Sequence, residues 1–259
     1  MSVKISFTGR NSQIGEYFKG EYDYVSYDLM DPNTWKPLLE SDVVFLLLPK
    51  SKNTLDMAKR FVLSAKRSRI RHIIKIGSLG PWRLIHKQLD AFMREAKVPY
   101  TSFDIAPMMN NIFTEQYKAS ERTLLDYRGN SPAPYLDPVC LASAIEQCID
   151  RDEHKNRNYQ CTGGIQYTIQ QVKDIMCTKG YPVDIINDTT NNNIHKMTDS
   201  TSDFILMRHI AELYKSEGWH PAISKDLPRY FNANSRTLEE FIDEDKNIFS
   251  RRFIDDNCL

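Results

Sequence analysis

Residues 43–48 read Val-Val-Phe-Leu-Leu-Leu, closed by Asp42 on one side and Pro49 on the other. A strand apolar on both faces must be covered on both, which is the condition of an interior strand in a parallel sheet with helices on each side. The segments around it repeat that demand. Residues 24–27, 72–76 and 100–105 read as further strands, and 53–68 and 84–95 as amphipathic helices between them. Asp31 and Pro32 open another helix, with Asp31 as N-cap and Pro32 at the first helical position. Strands separated by helices of this length need crossover connections, and a right-handed doubly wound sheet supplies them most economically.

The N-terminal segment adds a candidate ligand seat to that sheet. A strand at 3–7 runs into Thr8, Gly9, Arg10, Asn11, Ser12, Gln13, Ile14 and Gly15 and then into a helix from Glu16. A tight turn between a buried strand and a helix N-terminus leaves backbone N–H groups and positive dipole potential where the pyrophosphate of a dinucleotide can accept them. Ser12 stands where a further glycine would let the backbone approach the phosphates most closely, so a plain strand-to-helix turn remains the alternative.

The second half changes character. It reads as a helix at 140–149, a strand at 159–162, a helix at 168–178 capped by Thr168, a strand at 183–186, and an Asn- and Thr-rich loop at 188–199. Helices at 203–217, stopped by Gly218, and at 237–249 close the chain, the latter opened by a Thr237–Glu240 capping box. No sheet pattern of its own is visible in this tail. The expected organisation is α/β: a doubly wound, mostly parallel sheet in a dinucleotide-binding core at 1–135. An interleaved part at 136–259 supplies a smaller, mainly helical substrate lobe or lid, the whole forming a single compact unit.

Composition bounds the partners. Lysine plus arginine equals aspartate plus glutamate at 34 each in 259 residues, which gives no support for a nucleic-acid or membrane-surface partner. No apolar stretch is long enough to cross a bilayer, and a strand begins within three residues of Met1, so a signal peptide is not expected and a cytoplasmic protein is. The five cysteines form no metal-type pair, so no metal is expected, and an odd number argues for reduced thiols. Cys140 and Cys148, eight residues apart on one helix, fit small buried hydrophobes.

Several stretches, in order, carry a resemblance. They are Thr8-Gly9 to Gly15, Asp28 to Trp35, Asp42 to Pro49, His86-Lys87-Gln88-Leu89-Asp90, Pro99 to Thr101, Pro107 to Asn111, Tyr159 to Gly163 and Arg236 to Phe241. Together they resemble NmrA-like atypical short-chain dehydrogenases, closest to the branch with the festuclavine-type, ergot-alkaloid reductases. No single motif is specific; their order and spacing are. The resemblance implies a Rossmann fold and NADP or NAD bound by Thr8, Gly9, Arg10, Ser12, Gln13, Ile14, Gly15, Asp28, Leu48, Pro49, Gly77 and Pro107. It also implies a substrate beside Met108, Met109, Asn110 and Asn111. The departures are equally plain. The segment before Asp28 is too short for a separate second strand, Ala106 replaces the arginine usual before Pro107, and Val139-Cys140 replaces Arg-Asp. A Tyr-x-x-x-Lys pair is absent after Gly80.

Chemistry in such a cleft falls to a few side chains. Ser78 ends a central strand in a glycine-rich loop, where it either faces the crevice or caps the loop. His86 is a candidate general acid and Lys87 a candidate for orienting a ribose or stabilising an oxyanion, with Asp90 placed to pair with His86 at i, i+4. Read otherwise, His86 and Asp90 support a helix end. Tyr135, Trp82, Trp219 and Tyr230 are candidates for an apolar pocket or for ordinary lobe packing. Two readings follow. One is an NAD(P)H-dependent reductase of a small hydrophobic carbonyl or imine, compatible with a homodimer. The other is a fold-retaining protein without redox chemistry, either a regulator or a non-redox enzyme such as a cyclase.

Overall fold

The computed structural model describes residues 5–6, 28–49, 53–68, 70–80, 83–118, 120–126, 131–187 and 221–244. The turn at 8–15, the strand at 24–27, the loop at 188–199, the helix at 203–217, and Trp82 and Trp219 lie outside them. By Cα proximity the chain divides into two units, residues 1–105 with 144–160 and residues 106–143 with 161–259.

In the first unit, strands β1 (Ile5–Ser6), β2 (Val43–Leu47), β3 (His72–Ser78), β4 (Tyr100–Ile105) and β7 (Arg157–Cys161) form one sheet in the order β1-β2-β3-β4-β7. The first four run parallel, with Ile5 beside Val43, Val43 beside His72 and Ile73 beside Tyr100. β7 runs the same way: Asn156 N–H donates to the Tyr100 carbonyl near one end, and Ala106 N–H to the Cys161 carbonyl at the other. This is the parallel sheet predicted from the apolar runs.

One face of the sheet packs on helices α2 (Thr54–Arg67) and α3 (Arg83–Glu95). Val44, Leu46, Ile73 and Tyr100 meet Ala58, Phe61, Val62, Leu89 and Met93 there, each fully removed from water. Burial of each larger aliphatic or aromatic side chain contributes about 1.5–3 kcal/mol. The chain enters this face through a 3₁₀ turn, Pro32–Thr34, and helix α1 (Lys36–Leu39). Asp31 caps the turn by accepting from Asn33 N–H, with Pro32 following as predicted. Trp35 then packs edge-on against Phe61 at 5.3 Å, its Nε1 donating to the Asp28 carbonyl at 3.1 Å. On the opposite face, His72 and Thr101 meet Cys148. Cys148 belongs to helix α5 (Pro138–Asp150), whose two cysteines are both buried, as predicted. Burial pushes the Cys140 thiol up to about 11 and the Cys148 thiol up to about 12, which keeps both protonated and unreactive.

The second unit corrects two expectations. It has a sheet of its own: β5 (Tyr117–Lys118) pairs antiparallel with β6 (Thr123–Asp126), which pairs parallel with β8 (Asp184–Asn187). The second unit thus carries a small sheet that the sequence pattern did not announce, although helices hold more of its described residues. The division expected at residue 135 also shifts, because 106–135 belongs with the second half. Met109, Ile112, Phe113 and Leu124 are buried in one cluster with Tyr167, Val172, Met176, Leu238, Phe241 and Ile242. Met109 opens the short helix α4 (Met109–Asn111), Val172 and Met176 lie on α6 (Ile169–Thr178), and Leu238, Phe241 and Ile242 lie on α8 (Leu238–Glu244). Helix α7 (Asp226–Phe231) ends on Asn232 in the left-handed conformation.

The predicted Thr237–Glu240 capping box forms, and the predicted cap Thr168 takes part in a second one. Thr168 Oγ1 accepts from Gln171 N–H at 3.3 Å while Gln171 Oε1 accepts from Thr168 N–H at 2.8 Å, and Thr237 and Glu240 repeat the arrangement. Thr168→Ala is expected to lower stability by about 1 kcal/mol. Thr168→Ser should recover most of it, and urea unfolding of the three proteins checks both.

Candidate functional site

Parallel sheets present their ligand sites at the carboxyl ends of the strands. At the end of β2, Leu47 is 39% exposed, Leu48 is half-buried and Pro49 is exposed. Thr54 Oγ1, at the start of α2, donates to the Pro49 carbonyl at 2.6 Å and fixes that exit. Upstream, Asp28 is half-buried, and its Oδ1 accepts from Met30 N–H at 2.9 Å.

At the end of β3 the backbone turns sharply. Ser78 is half-buried and its Oγ accepts from Gly80 N–H at 3.0 Å, the capping role that its position also allowed. Leu79 N–H donates to the Ile105 carbonyl at 2.9 Å, tying the exits of β3 and β4 together. Gly77 is required here on steric grounds. A Cβ at residue 77 would collide with Asp104 Oδ1 and lie 3.2 Å from Lys75 Nζ.

Those two charged groups are what sequence reasoning missed. Lys75 sits in β3 between Ile74 and Ile76 with no solvent exposure. Its ammonium lies 2.8 Å from Asp90 Oδ1 on α3 and 3.8 Å from Asp104 Oδ1 on β4, and donates to the His86 carbonyl at 3.3 Å. Asn158 of β7 donates to Asp90 Oδ2 at 2.6 Å and accepts from the Tyr100 hydroxyl at 3.0 Å. The pairing of Asp90 with His86 expected from i, i+4 spacing is thus replaced by an ion pair with a lysine from the sheet. A lysine inside an otherwise apolar strand was the available signal.

His86 is buried on α3, and its Nδ1 has no hydrogen-bond partner among the described residues. Burial, reinforced by the Lys75 charge, brings its pKa down to about 4. At neutral pH the imidazole is therefore uncharged. In that state it can donate or accept a hydrogen bond and carries no second proton. Lys87, the next residue, is exposed.

The remaining candidates lie in the second unit. Pro107, Met108, Asn110 and Asn111 are half-buried and Met109 is buried, its N–H donating to the Leu136 carbonyl at 2.9 Å. Asn110 Oδ1 is buried without a hydrogen-bond partner among the described residues. Tyr135 is fully buried in the core, its hydroxyl 3.4 Å from Gln116 Oε1. The cleft it lines with Met109, Tyr167 and Arg236 measures about 20 Å³, room for a water and not for a substrate. Tyr230 stands exposed on α7, stacked under Arg229. Among the described residues, no group of histidines, cysteines and carboxylates could hold a metal ion, and no helix is long and apolar enough to cross a membrane.

No family model matches the chain, and no curated protein matches it. Solved structures do. A nucleoside-diphosphate-sugar epimerase from Staphylococcus aureus is 15% identical with a TM-score of 0.72, covering 92% of this chain and 99% of its own. An NADPH-dependent quinone oxidoreductase from Escherichia coli, complexed with NADPH, is 15% identical with a TM-score of 0.71 over 93% of this chain and 99% of its own. A triphenylmethane reductase from Citrobacter sp., complexed with NADP(H), gives the same values. At this identity the likeness shows the fold, a Rossmann-like α/β architecture of the kind found in these reductases and epimerases.

Proposed function

We propose that the chain is a divergent NmrA-like short-chain reductase, nearest the festuclavine-type branch, which uses NADPH or NADH to reduce a small hydrophobic carbonyl or imine. The observation that carries this reading is His86: a buried, uncharged imidazole with an unpartnered Nδ1, on the helix that follows the central strand β3. It stands in a fold shared with reductases that bind NADPH.

The described residues fit the cofactor at one place. Leu47, Leu48 and Pro49 offer apolar surface at the carboxyl end of an interior parallel strand. Gly9, Ser12 and Gly15 of the N-terminal turn would hold the pyrophosphate. Bound there, a reduced nicotinamide supplies a hydride to the substrate carbon. His86 donates a hydrogen bond from its neutral ring to the substrate oxygen or nitrogen as negative charge develops, and Lys87 delivers the proton that completes the reduction. The Ser78 hydroxyl, which accepts from Gly80, keeps its own hydrogen for the same developing charge.

One observation favours the second reading, a protein that has kept the fold without redox chemistry. Ala106, where the resembled family carries arginine, is buried and offers no charge to a phosphate. A titration of the three tryptophans with NADPH separates the two. The reductase is expected to quench with a micromolar midpoint and Gly9→Val to abolish the response, whereas silence at millimolar NADPH overturns the redox reading. His86→Ala is expected to slow NADPH oxidation by about a hundredfold against a panel of small aldehydes, ketones and quinones. An unchanged rate per folded molecule would remove His86 from the chemistry.

A further inference from the structure

The first unit contains a cavity of about 320 Å³ between helix α3 and strands β4 and β7. Lys87, Arg94, Asn158 and Gln160 are exposed around its mouth, and Asp90 and Asp104 are buried at its floor. The two floor carboxylates are not equally satisfied. Asp90 is held by Lys75 at 2.8 Å and by the Asn158 amide at 2.6 Å. Asp104 is 8% exposed with the Ser102 hydroxyl beside its carboxyl, and among the described residues its Oδ1, like that of Asp90, has no hydrogen bond, so the two differ in how close a cation stands. The nearest ammonium, that of Lys75 at 3.8 Å, is already engaged with Asp90 and the His86 carbonyl.

One ammonium facing two carboxylates leaves the floor one negative charge in excess, and a buried charge without a partner is costly. Burial accordingly raises the Asp104 carboxyl above the usual carboxylate range, with Lys75 opposing. The mouth has the opposite sign. Arg94, steadied by its 3.3 Å hydrogen bond to the Tyr100 hydroxyl, and Lys87 both line it. A simple cation meets repulsion at the mouth and a simple anion meets it at the floor. A molecule bearing both charges satisfies the two regions together. The volume is at the small end of ligand pockets, which suits a metabolite well below nucleotide size.

We propose that this cavity binds a small zwitterion of the α-amino acid type, its ammonium donating to Asp104 and its carboxylate facing Arg94 and Lys87. The test needs no nucleotide and so stands or falls apart from the redox reading. Calorimetric titration of the full chain with the standard α-amino acids is expected to find at least one that binds. Its N-acetyl derivative, which lacks the ammonium, and its amide, which lacks the carboxylate, should each bind at least about tenfold more weakly. Asp104→Asn should weaken the parent amino acid by a similar factor, and Arg94→Gln should weaken the parent while leaving the amide unchanged. Absence of binding by every amino acid at millimolar concentration, or equal binding of the N-acetyl derivative, overturns the proposal. The derivative series on the unaltered protein decides the matter even where a variant fails to fold.

Discussion

Acidification from pH 6.5 to pH 4 is expected to remove roughly 6 kcal/mol of folding stability, about 3 kcal/mol for each of two buried histidines. His72 is fully buried and its pKa is lowered to about 4, first by burial and then by the charges of Lys155 and Arg71, with Asp152 opposing. His86 is lowered to about 4 by burial and by Lys75. Above the unfolded value near 6.5 both states hold a neutral imidazole and the shift has no effect. Below it the unfolded chain takes up protons that the native state refuses, and stability falls until the native state also protonates near pH 4. His154, lowered by burial, adds to the loss, whereas Asp104, raised by burial, offsets part of it. The local geometry explains why His72 resists protonation. The Thr101 hydroxyl donates to the His154 carbonyl at 2.7 Å, so His72 Nε2, 2.8 Å from Thr101 Oγ1, must carry the hydrogen of their contact. A second proton would bring a full charge onto that buried face, and the hydrogen bond with the Cys148 backbone offsets only part of the cost. Urea midpoints at half-unit pH intervals measure the slope, and the double variant His72→Gln/His86→Gln should flatten it. A level profile across this range in the unaltered protein would contradict neutral, buried imidazoles.

The strands of the large sheet were legible because each is a run that only a covered sheet can hold. Residues 43–48 reappear as β2 and 100–105 as β4, and α3 begins one residue before its predicted start. Of the small sheet only β8 was legible, as the strand read at 183–186, for a physical reason. β5 has two residues and β6 four, and the partner of β6 is β8, some sixty residues onward, so no local period announces the pairing. Parts of the candidate site divide the same way. His86 and Lys87 fall on the predicted helix, since amphipathic spacing fixes which residues share a turn. The partner of Asp90 did not follow from that spacing, because i, i+4 adjacency describes the helix surface while the side chain points inward to β3. A lysine in a strand ordinarily reads as solvent-facing. Lys75 is buried because two acidic groups and a helix carbonyl already wait on that face.

That arrangement makes Lys75 the position where a single substitution should cost most. Lys75→Met keeps the length and the apolar stem, fits between Ile74 and Ile76, and removes only the ammonium. It leaves Asp90 and Asp104, both buried, with their shared cation gone, and frees the His86 carbonyl that the ammonium had held. Breaking a buried pair by deleting one partner costs about 3–5 kcal/mol, because the remaining charge keeps its desolvation penalty. For a chain of this size the melting temperature should fall by on the order of 10 °C. The counter-test follows from the same physics. Replacing the whole cluster, as in Lys75→Met/Asp90→Leu/Asp104→Leu, removes the charges together and should restore most of the loss, since a buried ion pair exchanged for packed apolar groups is often neutral or better. Asp104→Asn alone should cost much less than Lys75→Met, because it relieves the excess negative charge and leaves the 2.8 Å pair with Asp90 in place. Scanning calorimetry on the three variants orders them. If Lys75→Met melted within two or three degrees of the unaltered protein, or if the triple variant were the least stable, the lysine would not be compensating the two carboxylates, and the interior of this face would owe its stability to the surrounding apolar contacts alone.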